Sequence, residues 1–122
     1  MRGDAMTWNY HTNICTYRVK AGAREQFIAL LRKHWPALHA AGLVTDTPAI
    51  HFESQVGGDS RHNETGTTFV EIFSWARADA PDVAHNTPAV MAVWEPMGAL
   101  VEARDGRPAM EFPNYRPLDL NA

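Results

Sequence analysis

The sequence predicts an α+β fold of element order β-α-β-β-α-β, an antiparallel sheet with helices on one face. Three observations predict it. Apolar residues recur at helical spacing twice, at Phe27, Leu30, Leu31, His34 and Leu38, and at Val90, Val93, Trp94, Met97 and Val101. Runs rich in β-branched and aromatic residues flank each stripe. The chain has 122 residues, 45% of them hydrophobic and 20% charged, which is the composition of one globular domain.

The elements follow in order. Asn13 to Lys20 (NICTYRVK) reads as the first strand, broken by Ala21-Gly22. The first helix carries Glu25 in its opening turn, where the helix dipole favours an acid, and Gly22 is a plausible cap. Pro36 falls inside it and predicts a kink or a split after Trp35, since proline has no N–H to donate. Gly42 is a C-terminal stop. Ala49 to Gln55 (AIHFESQ) alternates as a second strand, and the polar, turn-rich stretch from Gly57 to Gly66 is a loop. Thr67 to Trp75 (TTFVEIFSW) is the strongest strand signal. Asp79 to His85 starts a short helix, and Thr87-Pro88 supplies an N-cap followed by proline at the first helical position. Pro96 predicts a second kink or break, and Gly106 ends the segment. Ala109 to Phe112 is a short last strand. The order is ferredoxin-like, with an extension over 1–12, the domain over 13–112 and a tail over 113–122.

Composition narrows the function. A net charge of −3 and a pI near 6.0 give no reason to expect nucleic acid or an anionic membrane as partner. No apolar run approaches the roughly 20 residues of a membrane span. The first residues lack an apolar signal core, so a cytoplasmic protein is expected, with Met1 or Met6 as its start. Asn63-Glu64-Thr65 fits a glycosylation triplet but has no secretion signal to accompany it. Cys15 stands alone, which excludes an intrachain disulfide and a multi-cysteine zinc site. No phosphate loop, serine elbow or dinucleotide fingerprint is present, and no cofactor is expected.

Strand alternation sorts residues into two faces. Val70, Ile72, Ile50 and Phe52 suit the face that the helices cover. Asn13, Tyr17, His51, Glu53, Phe69, Glu71, Phe73 and Trp75 then fall on the uncovered face. That set is too aromatic for a solvated surface and too polar for a dry core. It reads as a cavity or subunit interface, so a homodimer through the uncovered sheet face is expected.

These residues resemble a family. Tyr17-Arg18-Val19-Lys20-Ala21-Gly22 with Phe27 resembles the opening of the dimeric α/β-barrel superfamily. Phe69-Val70-Glu71-Ile72-Phe73-Ser74-Trp75 with Ala84-His85-Asn86-Thr87-Pro88 is similar to the antibiotic biosynthesis monooxygenase (ABM) branch, over roughly Asn13 to Phe112. The resemblance implies a homodimer with a cavity in each subunit. The activities it brings with it are diverse and include cofactor-independent oxygenation of quinol or anthrone-like aromatics and heme degradation. The heme-degrading pattern has a Trp and a His about ten residues apart in the second helical region. Here His85 and Trp94 or Glu95 occupy those places, so the ligand role is not reproduced.

Two residues are candidate proton acceptors. Glu71 lies between Phe69 and Phe73, where desolvation raises a carboxyl, unless an arginine such as Arg18 pairs with it. His85 precedes Asn86-Thr87-Pro88 at a helix N-terminus, which favours neutral imidazole; alternatively it fixes the interhelix turn. His51, Glu53 and Glu71 on adjacent strands are weighed as a metal set against a polar pairing across the sheet, with no compact ligand motif among them. Asn13, Tyr17, His51, Phe69, Phe73 and Trp75 are the expected substrate-binding residues, around a small aromatic or apolar ligand. Trp35 reads as packing and Trp94 as core, while His11, His34, His39 and His62 read as surface or helix-flank residues. The expected function is an ABM-like homodimeric protein, read as a cofactor-independent monooxygenase. The alternative is a non-catalytic small-ligand, heme or metal-binding barrel.

Overall fold

A computed structural model describes residues 8–56 and 64–121. The start at Met1 or Met6, His62 and most of the Gly57–Gly66 loop lie outside the described residues. The elements are β1 (Thr12–Arg18), α1 (Arg24–Ala40), β2 (Ile50–Glu53), β3 (Thr68–Ser74), α2 (Ala80–His85), α3 (Pro88–Ala99), β4 (Met110–Glu111) and β5 (Asn114–Tyr115). Neighbouring strands are antiparallel in the order β2-β3-β1-β4, and β5 joins the same edge of β1 further along. This is the predicted ferredoxin-like order.

α1 buries Phe27, Leu31, His34 and Leu38, the predicted stripe. It remains one helix through Pro36, so of the kink or split expected there, the split does not occur. Leu38 and His39 end it in a Schellman motif: the Leu43 N–H donates to Leu38 O and the Gly42 N–H to His39 O, both at 3.0 Å. Gly42 has φ +73°, the left-handed value this motif needs. α3 opens on Thr87 and Pro88 as predicted, continues past Pro96, and buries Val90, Val93 and Met97.

The two sheet faces are exchanged relative to the expectation. Phe69, Glu71, Phe73 and Trp75 are buried on the helix-covered face, with Asn13, Cys15 and Tyr17 of β1 beside them. Phe69 stacks on Phe27 of α1, and Phe73 meets His34 edge-on. Ile50 and Phe52 are 42% and 58% exposed, and Val70 and Ile72 are half-buried on the open face. Area explains the exchange. Large rings remove more apolar surface from water than aliphatic side chains do, so they fill the layer under the helices. Glu71 goes in with them because hydrogen-bond donors meet it there.

The open face nevertheless remains apolar. Register aligns Ile14, Ile72 and Ile50 across β1, β3 and β2, and Thr16, Val70 and Phe52 in the next row.

Candidate functional site

A cavity of about 410 Å³ lies between the covered sheet face and the helices. β1 contributes Asn13, Cys15 and Tyr17, and α1 contributes His34. β3 and the residue after it supply Phe73 and Trp75. Pro81 and His85 come from α2; Met91, Trp94, Glu95 and Met97 come from α3; Met110, Phe112 and Asn114 close the remaining side. The lining is mostly rings and thioethers with polar groups gathered on β1 and at the helices, the usual make-up of a small-molecule pocket.

Behind this lining sits Glu71, with no exposed surface. Tyr17 donates its hydroxyl to Oε1 at 2.7 Å, His34 Nδ1 lies 2.7 Å from the same oxygen, and His51 Nε2 lies 2.8 Å from Oε2. Trp94 Nε1 donates to His34 Nε2 at 2.7 Å. An indole N–H only donates, so His34 Nε2 must be the unprotonated nitrogen and Nδ1 carries the proton toward Glu71. The two contacts of the ring therefore assign one tautomer to His34.

Burial pushes the Glu71 carboxyl up, but donation from His34 and His51, the charge of His34 when it is protonated, and donation from Tyr17 together outweigh it and hold the group at about 2. Burial also raises the Cys15 thiol, and the Glu71 charge raises it further. Cys15 Sγ donates to Asn13 Oδ1 at 2.9 Å, and the Asn13 amide donates to Phe112 O and Asn114 Oδ1. Tyr17 is raised by burial and by the Cys15 and Glu71 charges, so it stays a phenol.

The predicted site residues separate into groups. Asn13, Tyr17, Phe73, Trp75 and His85 line the cavity together. Phe69 and His51 line a second hollow of about 250 Å³, with Ile28, Leu31, Arg32, Phe52 and Glu53. Glu71 joins the two places without lining either. Glu53 pairs with Arg24 at 2.6 Å instead of converging on His51, so the trio weighed as a metal set is not assembled. Among the described residues no group of three His, Cys, Asp or Glu could hold a metal ion. Arg18 pairs with Glu111 at 2.7 Å, not with Glu71. His85 is the last residue of α2 rather than a residue at a helix N-terminus; it is exposed, and its ring meets Trp94 at 4.9 Å.

His34 is the residue the sequence reading assigned elsewhere: it is 3% exposed, not a helix-flank group. The signal was present, because a histidine held offset 7 of an otherwise apolar stripe. Trp94 lines the cavity as well as the core; of the α3 methionines there, Met97 reads from the sequence only as packing and Met91 has no signal of its own.

Solved structures with this arrangement decide the fold. An antibiotic biosynthesis monooxygenase superposes with a TM-score of 0.61 at 16% identity, covering 88% of this chain and 98% of that one. The chain has the ABM-like fold. SnoaB, a cofactor-independent oxygenase from Streptomyces nogalater, in its N63A mutant form, superposes at 0.60 and 15% identity over 91% of this chain and 96% of that one. A NIPSNAP family protein of unknown function from Agrobacterium tumefaciens gives 0.61 and 16% over 93% and 96%. No family model matches the sequence, and no curated protein does. Among the described residues, no helix of this chain is long and apolar enough to cross a membrane.

Proposed function

We propose that the chain is one subunit of a homodimeric ABM-like protein. It takes a planar aromatic or otherwise apolar small molecule into the cavity beneath α2 and α3 and oxygenates it without a cofactor. The observation that carries this reading is the lining: Tyr17, Phe73, Trp75, Trp94 and Phe112 present rings to one space of about 410 Å³. Stacking and edge contacts there select flat apolar ligands. His85 stands at the exposed side, where it meets the ligand's polar edge. Glu71 acts through the side chains that hold it. In the reaction an activated C–H is lost as a proton and the carbanion reduces dioxygen. Oxygen adds to that carbon as a peroxide; loss of the second C–H of the same methylene then breaks the O–O bond, so one oxygen atom stays as a carbonyl and the other leaves as water with the two protons.

Anthrone is a suitable probe, being flat, tricyclic and acidic at carbon. Anaerobic titration should quench tryptophan fluorescence saturably, and admitting air should give oxygen uptake well above the protein-free rate. An unquenched titration over a panel of such compounds would remove the proposal.

A second reading, a non-catalytic ligand-binding protein, is favoured by one observation: both oxygens of Glu71 are engaged and neither lines the cavity. Saturable binding with oxygen uptake at the background rate would select it.

A further inference from the structure

We propose that His34 is the proton acceptor of the cavity, with Glu71 as its positioning carboxylate and Trp94 as a cap on its reactive nitrogen. The proposal rests on the reading that the ligand enters this cavity.

The geometry is that of a carboxylate–imidazole pair. Glu71 Oε1 accepts from His34 Nδ1 at 2.7 Å, which fixes the ring and leaves Nε2 with a lone pair. His34 and Trp94 both line the cavity, so that lone pair lies at its wall. The carboxylate is kept ionised in a fully buried place by Tyr17 and His51 as well as His34. An imidazolium formed at His34 would therefore meet a fixed negative charge in low-dielectric surroundings, where it stabilises most. Phe73 packs edge-on against the imidazole at 5.8 Å and limits its rotation. The histidine is thus held between a carboxylate on one nitrogen and an indole N–H on the other.

The proposal requires Trp94 to move. The residue is half-buried on α3, and in this arrangement its N–H occupies Nε2 at 2.7 Å. For proton transfer the indole must yield the lone pair to the ligand. The ligand's C–H bond then breaks, its electron pair stays on carbon, and the proton binds His34 Nε2. No oxidant is required for this step.

Two measurements test it. The first is anaerobic exchange of the anthrone methylene hydrogens for deuterium, which reads proton removal apart from oxygenation. Wild-type protein should accelerate exchange. His34→Gln should lower the acceleration about 100-fold or more while fluorescence titration still shows binding. Glu71→Gln should lower it by a smaller factor and shift its pH profile, and His39→Gln should leave it unchanged. Bound anthrone that does not exchange overturns the proposal, as does full exchange in His34→Gln or its loss in His85→Gln alone.

The second measurement uses diethyl pyrocarbonate, which modifies unprotonated imidazole nitrogen and needs no ligand. His34 should be protected in the wild type and at least about tenfold more reactive in Trp94→Phe, read by peptide mass. His34 still protected in a folded Trp94→Phe protein overturns the proposal even if anthrone does not bind, an outcome that counts separately against the proposed ligand class.

Discussion

Tyr17 and His34, from β1 and α1, donate to the same oxygen of Glu71, each at 2.7 Å. A strand and a helix are thereby tied to β3 through one carboxylate with no exposed surface. The tie makes a prediction about acid. The Glu71 carboxyl lies at about 2 in the folded chain against 4.5 ordinarily. A lowered carboxyl stabilises the fold fully above the unfolded value, and that stabilisation is lost as pH falls from about 4.5 through about 2. The shift corresponds to roughly 3 kcal/mol. Urea unfolding of wild type should show that fall, and Glu71→Gln should start less stable at pH 7 and flatten it. Parallel curves for the two proteins would contradict the assignment.

The cysteine gives a second prediction. Cys15 is 1% exposed, lines the cavity, and is raised by burial and by the charge of Glu71. A thiol held protonated is a poor nucleophile even where a small reagent reaches it. Native protein at pH 8 should react with a chromogenic disulfide many times more slowly than urea-unfolded protein. Equal rates would show that the site is open and the thiol ionised.

Legibility differed between fold and site. Thr67 to Trp75 announced β3 because β-branched and aromatic residues dominate it, and the stripe from Phe27 to Leu38 announced α1. The choice of sheet face gave the helices the aliphatic set of Val70, Ile72, Ile50 and Phe52, and so put Glu71 with its neighbours on the open side, whereas Ile50 and Phe52 are exposed and Glu71 is buried. A carboxylate on a strand reads as outward-facing unless its donors are known, and those donors come from three other elements. Tyr17, His34 and His51 are 54, 37 and 20 residues away in sequence. Alternation can say that Glu71, Phe69 and Phe73 share a face, but the long-range hydrogen bonds decide which face it is. The same distance hid His34, whose role depends on Glu71 on one side and Trp94 on the other.

Gly66 and Arg104 make a third, purely structural prediction. Arg104 donates to Val19 O, Thr67 O and Thr68 Oγ1, which anchors the segment after α3 to the ends of β1 and β3. A Cβ at Gly66 would stand 2.9 Å from Arg104 Cζ and 3.1 Å from Nη1. The guanidinium cannot swing away without breaking those bonds. Gly66→Ala should therefore cost about 1–3 kcal/mol, measured as a lowered urea midpoint with unchanged slope. Gly66→Ala in an Arg104→Ala background should cost less, because the obstructing group is gone. An equal cost in both backgrounds would place the penalty elsewhere.

The open sheet face carries the last prediction, that of a homodimer. Ile14, Ile72 and Ile50 form one cross-strand row, and Thr16, Val70 and Phe52 the next. Helices cover the opposite face, and contiguous apolar surface of this kind is the common mark of a protein interface. A second copy is the partner proposed, in keeping with the family resemblance of the sequence. Light scattering at micromolar concentration should give twice the chain mass. Phe52→Asp is the discriminating variant. Phe52 is 58% exposed in the single chain, so the change costs the monomer little, whereas a charge buried between two sheets would be left unpaired. The variant should shift the protein toward monomer with its urea midpoint at low concentration nearly unchanged. A wild-type monomer would leave this face without its proposed partner and would remove the homodimer from the functional proposal.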